Sequence, residues 1–263
     1  MDARRLTYLR ALDVDVWERR DLRRARPEEV EVAAASAPAI EAARDSTPAL
    51  GADMSSSTGS NHAAGLSWEA LEHAVRNCQR CPLHRTRTQA VFGVGDRQAS
   101  WLVIGEAPGA DEDRQGEPFV GRAGQLLNSM LKAMGLAREQ VYIANILKSR
   151  PPSNRDPRPE EVRECIPYLY RQIELIDPRL ILCVGRIAAQ TLLGTDTPIG
   201  KLRGKLHHLN TLPTPEQPTG KPRPMIVTYH PAYLLRSPAE KRKAWADLVL
   251  AMQTYERLGG ASA

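Results

Sequence analysis

The chain has 263 residues, of which 42% are hydrophobic and 25% are charged, and its formal net charge is +5. This length allows one large domain or two smaller ones with a sizeable buried core, and it excludes a disulfide-stapled miniprotein. No stretch approaches the roughly 18 to 20 apolar residues of a membrane span, and the N-terminus lacks an apolar signal segment, so we expect a cytoplasmic protein without a membrane partner.

Taken in chain order, the composition divides the chain into three segments. Residues 1–26 carry leucines at positions 6, 9 and 12, and this helical spacing predicts a short N-terminal helical element. Residues 27–66 are rich in Ala, Ser, Pro and Glu and poor in aromatic residues, a composition typical of a disordered linker. We therefore expect one compact domain, which spans residues 67–263.

The positive charge is concentrated in this expected domain. Residues 1–66 carry 9 Lys and Arg against 11 Asp and Glu, whereas residues 67–263 carry 27 against 20. The window 196–243 alone holds 9 basic and 3 acidic residues. A regional basic excess is compatible with a nucleic-acid partner, but many solvated surfaces are basic without binding anything, so charge alone leaves both readings open.

Apolar runs typical of buried strands alternate with helical patterns in this domain. The four strand-like runs are residues 100–105, 141–145, 180–185 and 225–230. Apolar residues at three- and four-residue spacing predict helices at 123–135, 159–176, 186–194 and 238–258. The alternation predicts an α/β fold, a parallel sheet with helices on both faces and a ligand site at the carboxyl ends of the strands.

The residues that follow these runs are polar or glycine-rich. They are residues 105–109 (GEAPG), Asn145, Gly185 and His230. A lone Asn or His in such a place is usually a helix cap or another hydrogen-bonded structural residue. Because the carboxyl ends of parallel strands meet at one edge of the sheet, their joint placement indicates a pocket there.

The most specific stretch is residues 105–127, GEAPGADEDRQGEPFVGRAGQLL. It combines a glycine-proline turn after a strand, four consecutive charged residues and a glycine-rich entry into a helix. Gly121 and Gly124 would let backbone N–H groups approach a ligand. The GxGxxG fingerprint of dinucleotide-binding folds is absent, which argues against a nicotinamide or flavin cofactor.

Together with three later motifs, this stretch resembles the family 4 uracil-DNA glycosylases, the iron-sulfur type. The later motifs are NILKSRPPSNRDPRPEEVRECIPYL, LILCVG and HPAYLLR, and the resemblance covers residues 67–255. It implies a three-layer α/β/α fold with a four-stranded parallel sheet. It also implies an enzyme that flips uracil out of DNA and hydrolyses its N-glycosidic bond to leave an abasic site, which starts base excision repair. The partner would be uracil-containing DNA, and we expect a monomer.

The resemblance assigns roles to individual residues. Phe119 would stack on the uracil ring, and Asn145 would hydrogen-bond the imide edge of the base. His230 would stabilise the negative charge that develops on the leaving base. Glu106 and Glu112 would be pocket carboxylates that bind the base, orient water or stabilise the sugar cation.

The first glycine-rich loop departs from that of the family 1 relatives. Family 1 relatives use GQDPYH, in which Asp activates water and Tyr excludes thymine. The aligned residues here are Ala107 and Gly109, so catalysis would rely mainly on leaving-group stabilisation.

The motif HPAYLLR would press into the duplex, with Leu234 or Leu235 filling the gap left by the flipped base and Arg236 meeting a phosphate. The alternative is that both leucines start the final helix and belong to the core. Further candidate phosphate contacts are Lys201, Arg203, Lys205, Lys241, Arg242 and Lys243.

The chain has 4 Cys. Cys78 and Cys81 form a C-x2-C pair, a spacing that brings two thiolates onto one metal or cluster. In the family a 4Fe-4S cluster is held by such a pair, by the Cys of KCRPP and by a later Cys, and here these last two positions are Ser149 and Cys165. Cys183 lies within LILCVG and is expected to be a buried strand residue. The cluster could use Ser149 as an oxygen ligand, rest on three cysteines or be lost, because serine oxygen suits iron less well than a thiolate. We expect a cluster held by the three cysteines.

Two other functions stay open. The chain could be a uracil-DNA binding protein that crosslinks to the abasic sugar through a His in a basic insertion. The corresponding residues 154–161, NRDPRPEE, contain no His, which favours turnover. The chain could also be a non-catalytic iron-sulfur module that binds DNA.

Overall fold

A computed structural model describes residues 61–210 and 222–260. The helical element predicted for residues 1–26 and nearly all of the linker predicted for residues 27–66 lie outside this part of the chain. Among the described residues, no helix combines the length and the hydropathy that crossing a membrane requires.

One mixed sheet of six strands organises the described chain. Its strands, numbered in chain order, are β1 Val94–Gly95, β2 Trp101–Gly105, β3 Tyr142–Asn145, β4 Leu180–Val184, β5 Leu206–Asn210 and β6 Pro222–Thr228. Their spatial order is β1-β3-β2-β4-β6-β5. The four central strands pair in parallel, whereas β1 and β5 lie antiparallel at the two edges.

Eight α-helices connect and flank these strands in the described residues. They are α1 Trp68–Arg76, α2 Ala110–Gln115, α3 Arg122–Ala133, α4 Pro159–Ile176, α5 Arg186–Leu193, α6 Ile199–Leu202, α7 Pro231–Arg236 and α8 Lys241–Arg257. Short 3-10 turns occur at Pro82–Arg85, Arg138–Gln140, Pro152–Asn154 and Pro238–Glu240.

Alternate residues of the central strands belong to two separate hydrophobic cores. In β2, Leu102 and Ile104 join the core that includes residues of α1, α4 and α5. Trp101 and Val103 join the core that includes residues of α3, α7 and α8. This division follows from the two-residue side-chain period of a strand, and it explains why the central strands are apolar along their whole length.

The α/β class is confirmed, and each of the four predicted strands is present in the parallel centre of the sheet. The expected count of four strands is too low, because β1 and β5 extend the sheet. β1 has two residues, too few for a periodic signal, and β5 is a largely exposed edge strand whose sequence LHHLN contains little apolar surface.

Packing against the core begins a few residues before Ser67, the expected start of the domain. Ala63 is fully buried and belongs to the core, and the Leu66 carbonyl accepts a hydrogen bond from Arg171 Nε at 2.8 Å. These contacts lie within the segment whose composition predicts a linker, because composition does not show that a small side chain such as Ala63 packs in the core.

Candidate active site

A cleft with a volume of about 750 Å³ opens at the carboxyl ends of the parallel strands. Its lining includes six of the predicted site residues: Glu106, Glu112, Phe119, Asn145, His230 and Arg236. The cleft lies where a doubly wound sheet binds its ligands, because the loops that leave neighbouring strands diverge there. The structure thus brings together residues that are up to 130 positions apart in the chain.

Asn145 ends β3 and pairs with Gly105 at the end of β2. Its side chain is buried, and its Oδ1 has no hydrogen-bond partner among the described residues. A Cβ at position 105 would come within 2.5 Å of this oxygen, so only glycine leaves it uncovered. Because buried amide oxygens are nearly always hydrogen-bonded, this one points to a donor supplied by a ligand.

His230 is the N-cap of α7, and its ring is held by a local hydrogen bond. The Ala232 N–H donates to His230 Nδ1 at 3.1 Å. An imidazole that accepts at Nδ1 carries its proton on Nε2 when it is neutral. Burial lowers the pKa of His230 to about 4, with a further contribution from Arg236, so the ring is neutral at pH 7 and offers an N–H donor.

Phe119 forms an aromatic wall beside His230. The two ring centroids are 5.6 Å apart and the planes differ by 28°. The backbone of Phe119 has a φ of 55°, a left-handed conformation that is uncommon for residues other than glycine. Two glycines admit it: a Cβ at Gly105 would meet the ring at 2.6 Å, and a Cβ at Gly124 would meet the Phe119 carbonyl oxygen at 1.8 Å.

Glu112 connects the two loops that carry the site. Its Oε2 accepts from the Gly109 N–H at 3.0 Å, and its Oε1 accepts from the N–H groups of Val120 and Gly121 at 2.9 and 3.1 Å. Both carboxylate oxygens are therefore engaged by backbone donors. The family resemblance implied a pocket carboxylate at position 112, but the hydrogen bonds that Glu112 accepts depend on how the two loops fold together.

Glu106 follows β2 at the floor of the cleft. Burial and the nearby Asp156 together raise the pKa of Glu106 to about 7, although Arg186 opposes the shift. Arg186 Nη2 lies 2.9 Å from Asp156 Oδ2, so this ion pair crosses the cleft rim between the loop at residues 150–158 and α5. Sequence reasoning missed Asp156 and Arg186, although Arg186 directly follows the flagged Gly185.

The structure separates the two leucines of HPAYLLR. Leu234 is 1% exposed and packs in the core, which favours the core alternative for this leucine, whereas Leu235 is 36% exposed. Consecutive helix positions point about 100° apart, and the local sequence does not show which of the two meets the core. Arg236 is exposed and lines the cleft, as its expected contact with a phosphate requires.

Several of the expected phosphate contacts are engaged within the protein. Arg203 donates to both carboxylate oxygens of Asp247, Lys243 pairs with Glu240, and Lys241 is buried. Lys201, Lys205 and Arg242 are exposed. The exposed group is thus smaller than the basic composition of this region suggests.

Cys78, Cys81, Ser149 and Cys165 line a second, small cavity together with Arg87. The Lys148 N–H donates to Cys165 Sγ at 3.1 Å, and Arg87 Nη1 donates to Ser149 Oγ at 2.8 Å. Burial raises the pKa of the Cys165 thiol to about 12 and also raises that of Cys81.

The donor set of this cavity fits three of the four ligands expected for an iron-sulfur cluster. The three cysteines line the cavity, and the fourth position holds a hydroxyl that already accepts from an arginine. Among the described residues, no group of three or more His, Cys, Asp or Glu is arranged to hold a metal ion. Cys183 is fully buried in β4 and does not line the cavity, in agreement with its expected place in the core.

Comparison with known proteins gives consistent matches. A family model described as the Uracil DNA glycosylase superfamily matches residues 92–249. A type-4 uracil-DNA glycosylase of Archaeoglobus fulgidus is 46% identical over 186 residues, which is 68% of this chain and 90% of the relative. Proteins of the same description from Pyrobaculum aerophilum and Thermotoga maritima are 41% and 42% identical, over 70% and 64% of this chain and 93% and 83% of their own lengths.

Proposed function

The chain belongs to the uracil-DNA glycosylase superfamily, with type-4 enzymes among its relatives, and from this premise we propose that it excises uracil from DNA by hydrolysing the N-glycosidic bond. The observation that carries the proposal is the unpartnered Oδ1 of Asn145, which faces the cleft beside an aromatic wall and a neutral histidine. Uracil has the complementary groups: a flat ring, an imide N–H and a carbonyl oxygen that becomes negative as the base leaves.

Base recognition is assigned to Asn145 and Phe119. Uracil N3–H would donate to Asn145 Oδ1, and the amide N–H₂ would donate to a carbonyl of the base. Cytosine has an unprotonated N3 and an amino group at these two positions, so the amide would face it with mismatched groups. Phe119 would stack on the extruded ring, a contact that contributes about 1–3 kcal/mol per base in comparable sites.

Leaving-group stabilisation is assigned to His230. Its Nε2–H would donate to uracil O2, where negative charge grows as the glycosidic bond breaks. A neutral donor suits this task because the hydrogen bond strengthens as charge develops, and removal of one such donor from a preorganised site costs about 2.7–4 kcal/mol.

Glu106 is proposed to act as a carboxylate on the sugar side of the bond. Its ionised form would stabilise the developing sugar cation and accept a proton from the attacking water. Glu112 is proposed as the pocket carboxylate that holds both loops in place through its backbone donors. Arg236, with Leu235 in place of Leu234, would contact the DNA around the flipped nucleotide.

We further propose that Cys78, Cys81 and Cys165 would hold a 4Fe-4S cluster, with Ser149 at the expected fourth ligand position. Their placement around one cavity supports this, and thiolates are the preferred ligands of iron-sulfur centres. When bound, the cluster would be structural and would brace the segments that carry the three cysteines. Anaerobic purification with iron counting and a visible absorbance scan tests it, and a colourless, iron-free, fully active protein would contradict it.

The remaining proposals concern the whole chain. Two cores on opposite faces of the sheet support the three-layer α/β/α arrangement. We propose that the catalytic domain extends to residue 263 and works as a cytoplasmic monomer on uracil-containing DNA. Sedimentation of the free protein measures the oligomeric state.

One assay separates the proposed function from its alternatives. The protein is incubated with an oligonucleotide that contains one uracil, and the DNA is then treated with alkali. A strand break at the uracil position is the expected result. A stable protein-DNA adduct would instead support a crosslinking protein, and binding without either product would support a non-catalytic module.

A further inference from the structure

The strained backbone of Phe119 needs support from both sides. Its φ of 55° is unfavourable for an aromatic residue, so the surrounding contacts must hold it. On its C-terminal side, Glu112 binds the N–H groups of Val120 and Gly121. On its N-terminal side stands Pro118, which has no N–H and can anchor the chain only through its carbonyl oxygen.

Arg138 supplies the anchor for that carbonyl. Its Nη2 donates to the Pro118 oxygen at 2.6 Å, and its Nη1 donates to Asn128 Oδ1 at 3.1 Å. Arg138 lies in the 3-10 turn between α3 and β3, 20 residues after Pro118, and its side chain is partly buried. It does not line the cleft, so it has no direct route to a bound base.

The geometry of the peptide bond links the hydrogen bond between Arg138 and Pro118 to the backbone conformation of Phe119. The Pro118 carbonyl, the Phe119 N–H and the Phe119 Cα belong to one planar unit, and φ of Phe119 is the rotation about its N–Cα bond relative to that plane. A donor that fixes the carbonyl therefore fixes one side of this rotation. Gly124 passes beneath the Phe119 carbonyl and limits the other side.

We propose that Arg138 is a positioning residue that holds the Phe119 ring in place as the stacking wall for uracil. This inference rests on the proposed function. Losing the guanidinium frees the 118–119 peptide to rotate, and the ring then spends less time in the stacking orientation. Because stacking acts on the bound base before and during bond cleavage, the main effect falls on KM and a smaller one on kcat.

The test compares Arg138→Ala with Lys132→Ala as a matched control, since Lys132 is an exposed cation on α3. Steady-state kinetics on a uracil oligonucleotide, with inhibition by free uracil, are measured for both. Arg138→Ala should raise KM and the uracil inhibition constant about 10- to 100-fold, the loss that a small misplacement of a binding group causes. Lys132→Ala should stay within about twofold of wild type, as expected for a surface change.

A double-mutant cycle with Phe119→Ala separates positioning from general damage. If Arg138 acts through the ring, Arg138→Ala has little further effect once Phe119 is alanine. Equal losses in both backgrounds would overturn the inference, as would an Arg138→Ala enzyme that behaves like the Lys132→Ala control.

Should the alanine variant fold poorly, the Arg138→Lys variant, which keeps a single donor, provides the test. It is expected to show a smaller increase in KM at an unchanged unfolding midpoint, and wild-type kinetics for it would count against the inference. A wild-type chain that releases no uracil would defeat the proposed function together with this inference, whereas an active wild type with unaffected Arg138 variants would defeat the inference alone.

Discussion

His230 is held as a neutral imidazole whose proton lies on Nε2. The Ala232 N–H occupies Nδ1, and burial keeps the pKa of the ring near 4. The Oδ1 of Asn145 is likewise available to a ligand, because Gly105 has no side chain to cover it. Both side chains are thus oriented before a base arrives, and preorganised polar groups of this kind lose no energy to reorientation during the reaction.

Replacing His230 by alanine is expected to lower kcat on a uracil oligonucleotide by about 100- to 1,000-fold, the loss seen when one donor to a developing negative charge is removed. DNA binding should change little, because the hydrogen bond strengthens only as the base leaves. Single-turnover cleavage and a separate binding titration measure the two effects. Parallel losses of binding and cleavage would contradict this role and indicate a damaged fold.

The ionisation of the Glu106 carboxyl group predicts how the reaction rate depends on pH. Burial raises the pKa of Glu106 to about 7, so the carboxylate form increases as the pH rises through neutrality. If the ionised form is the active one, kcat/KM rises between about pH 6 and pH 8 and levels off above. Glu106→Gln should lower the rate and remove this limb. A wild-type rate that falls over the same range would show that the protonated acid is the active form.

α7 carries two adjacent leucines with different surroundings. Leu234 points into the core shared with α3 and α8, whereas Tyr233 and Leu235 are exposed and Tyr233 lines the cleft. His230 is the N-cap of this helix, so the same short element holds the imidazole and presents the exposed side chains. An amphipathic turn of this kind lets one motif pack against the core and expose its other side chains to solvent.

The two leucines should therefore respond differently to alanine. Leu234→Ala is expected to lower the free energy of unfolding by about 2–5 kcal/mol, the usual loss for a buried leucine. Leu235→Ala should leave stability nearly unchanged and reduce cleavage of double-stranded DNA more than cleavage of single strands, because a wedge matters only where a stack must be replaced. Urea unfolding and cleavage of both substrates provide the comparison. Equal sensitivity of the two substrates to Leu235→Ala would argue against insertion.

At the scale of the whole molecule, the cysteine cavity and the cleft are built by consecutive parts of one segment. Asn145 lines the cleft, Ser149 lines the cavity, and the buried Lys148 bonds the Asn145 carbonyl at 2.9 Å and Gln172 Oε1 at 2.6 Å. The segment after β3 therefore connects the cleft to the cysteine cavity. Conditions that disrupt the packing of the cysteine cavity are therefore expected to shift Asn145, because this segment connects the two sites.

Ser149→Cys restores the thiol that the family pattern places at the fourth position. We expect the variant to carry more iron per chain and to lose its visible absorbance more slowly in air than the native protein, because thiolate suits iron better than a hydroxyl. Cys183→Ala is the matched control, since Cys183 lies in β4 away from the cavity and its removal should leave the iron content unchanged. Equal iron content and air stability in Ser149→Cys and the native chain would contradict three-cysteine ligation.

Much of this architecture was accessible from the sequence. Buried parallel strands are apolar along their length, so the four central strands were visible as runs, and helix spacing marked the segments between them. Parallel pairing sends all strand exits to one edge, which places Asn145 and His230 at a common pocket. The place of Phe119 in that pocket was implied by the family resemblance, and the C-x2-C spacing predicted a cluster site.

Contacts between distant residues required the tertiary structure. The edge strands β1 and β5 carry too little apolar pattern to be recognised, and the opposite environments of Leu234 and Leu235 depend on which face of α7 meets the core. Arg138 reaches Pro118 across 20 residues and Arg87 reaches Ser149 across 62, and neither pair leaves a local signal. Periodicity and strand direction are properties of the chain itself, and they determined the sheet and the edge that holds the site. The orientation of Phe119, the engagement of Glu112 and the surroundings of Ser149 were decided only by folding, because they arise where separate segments close on one another.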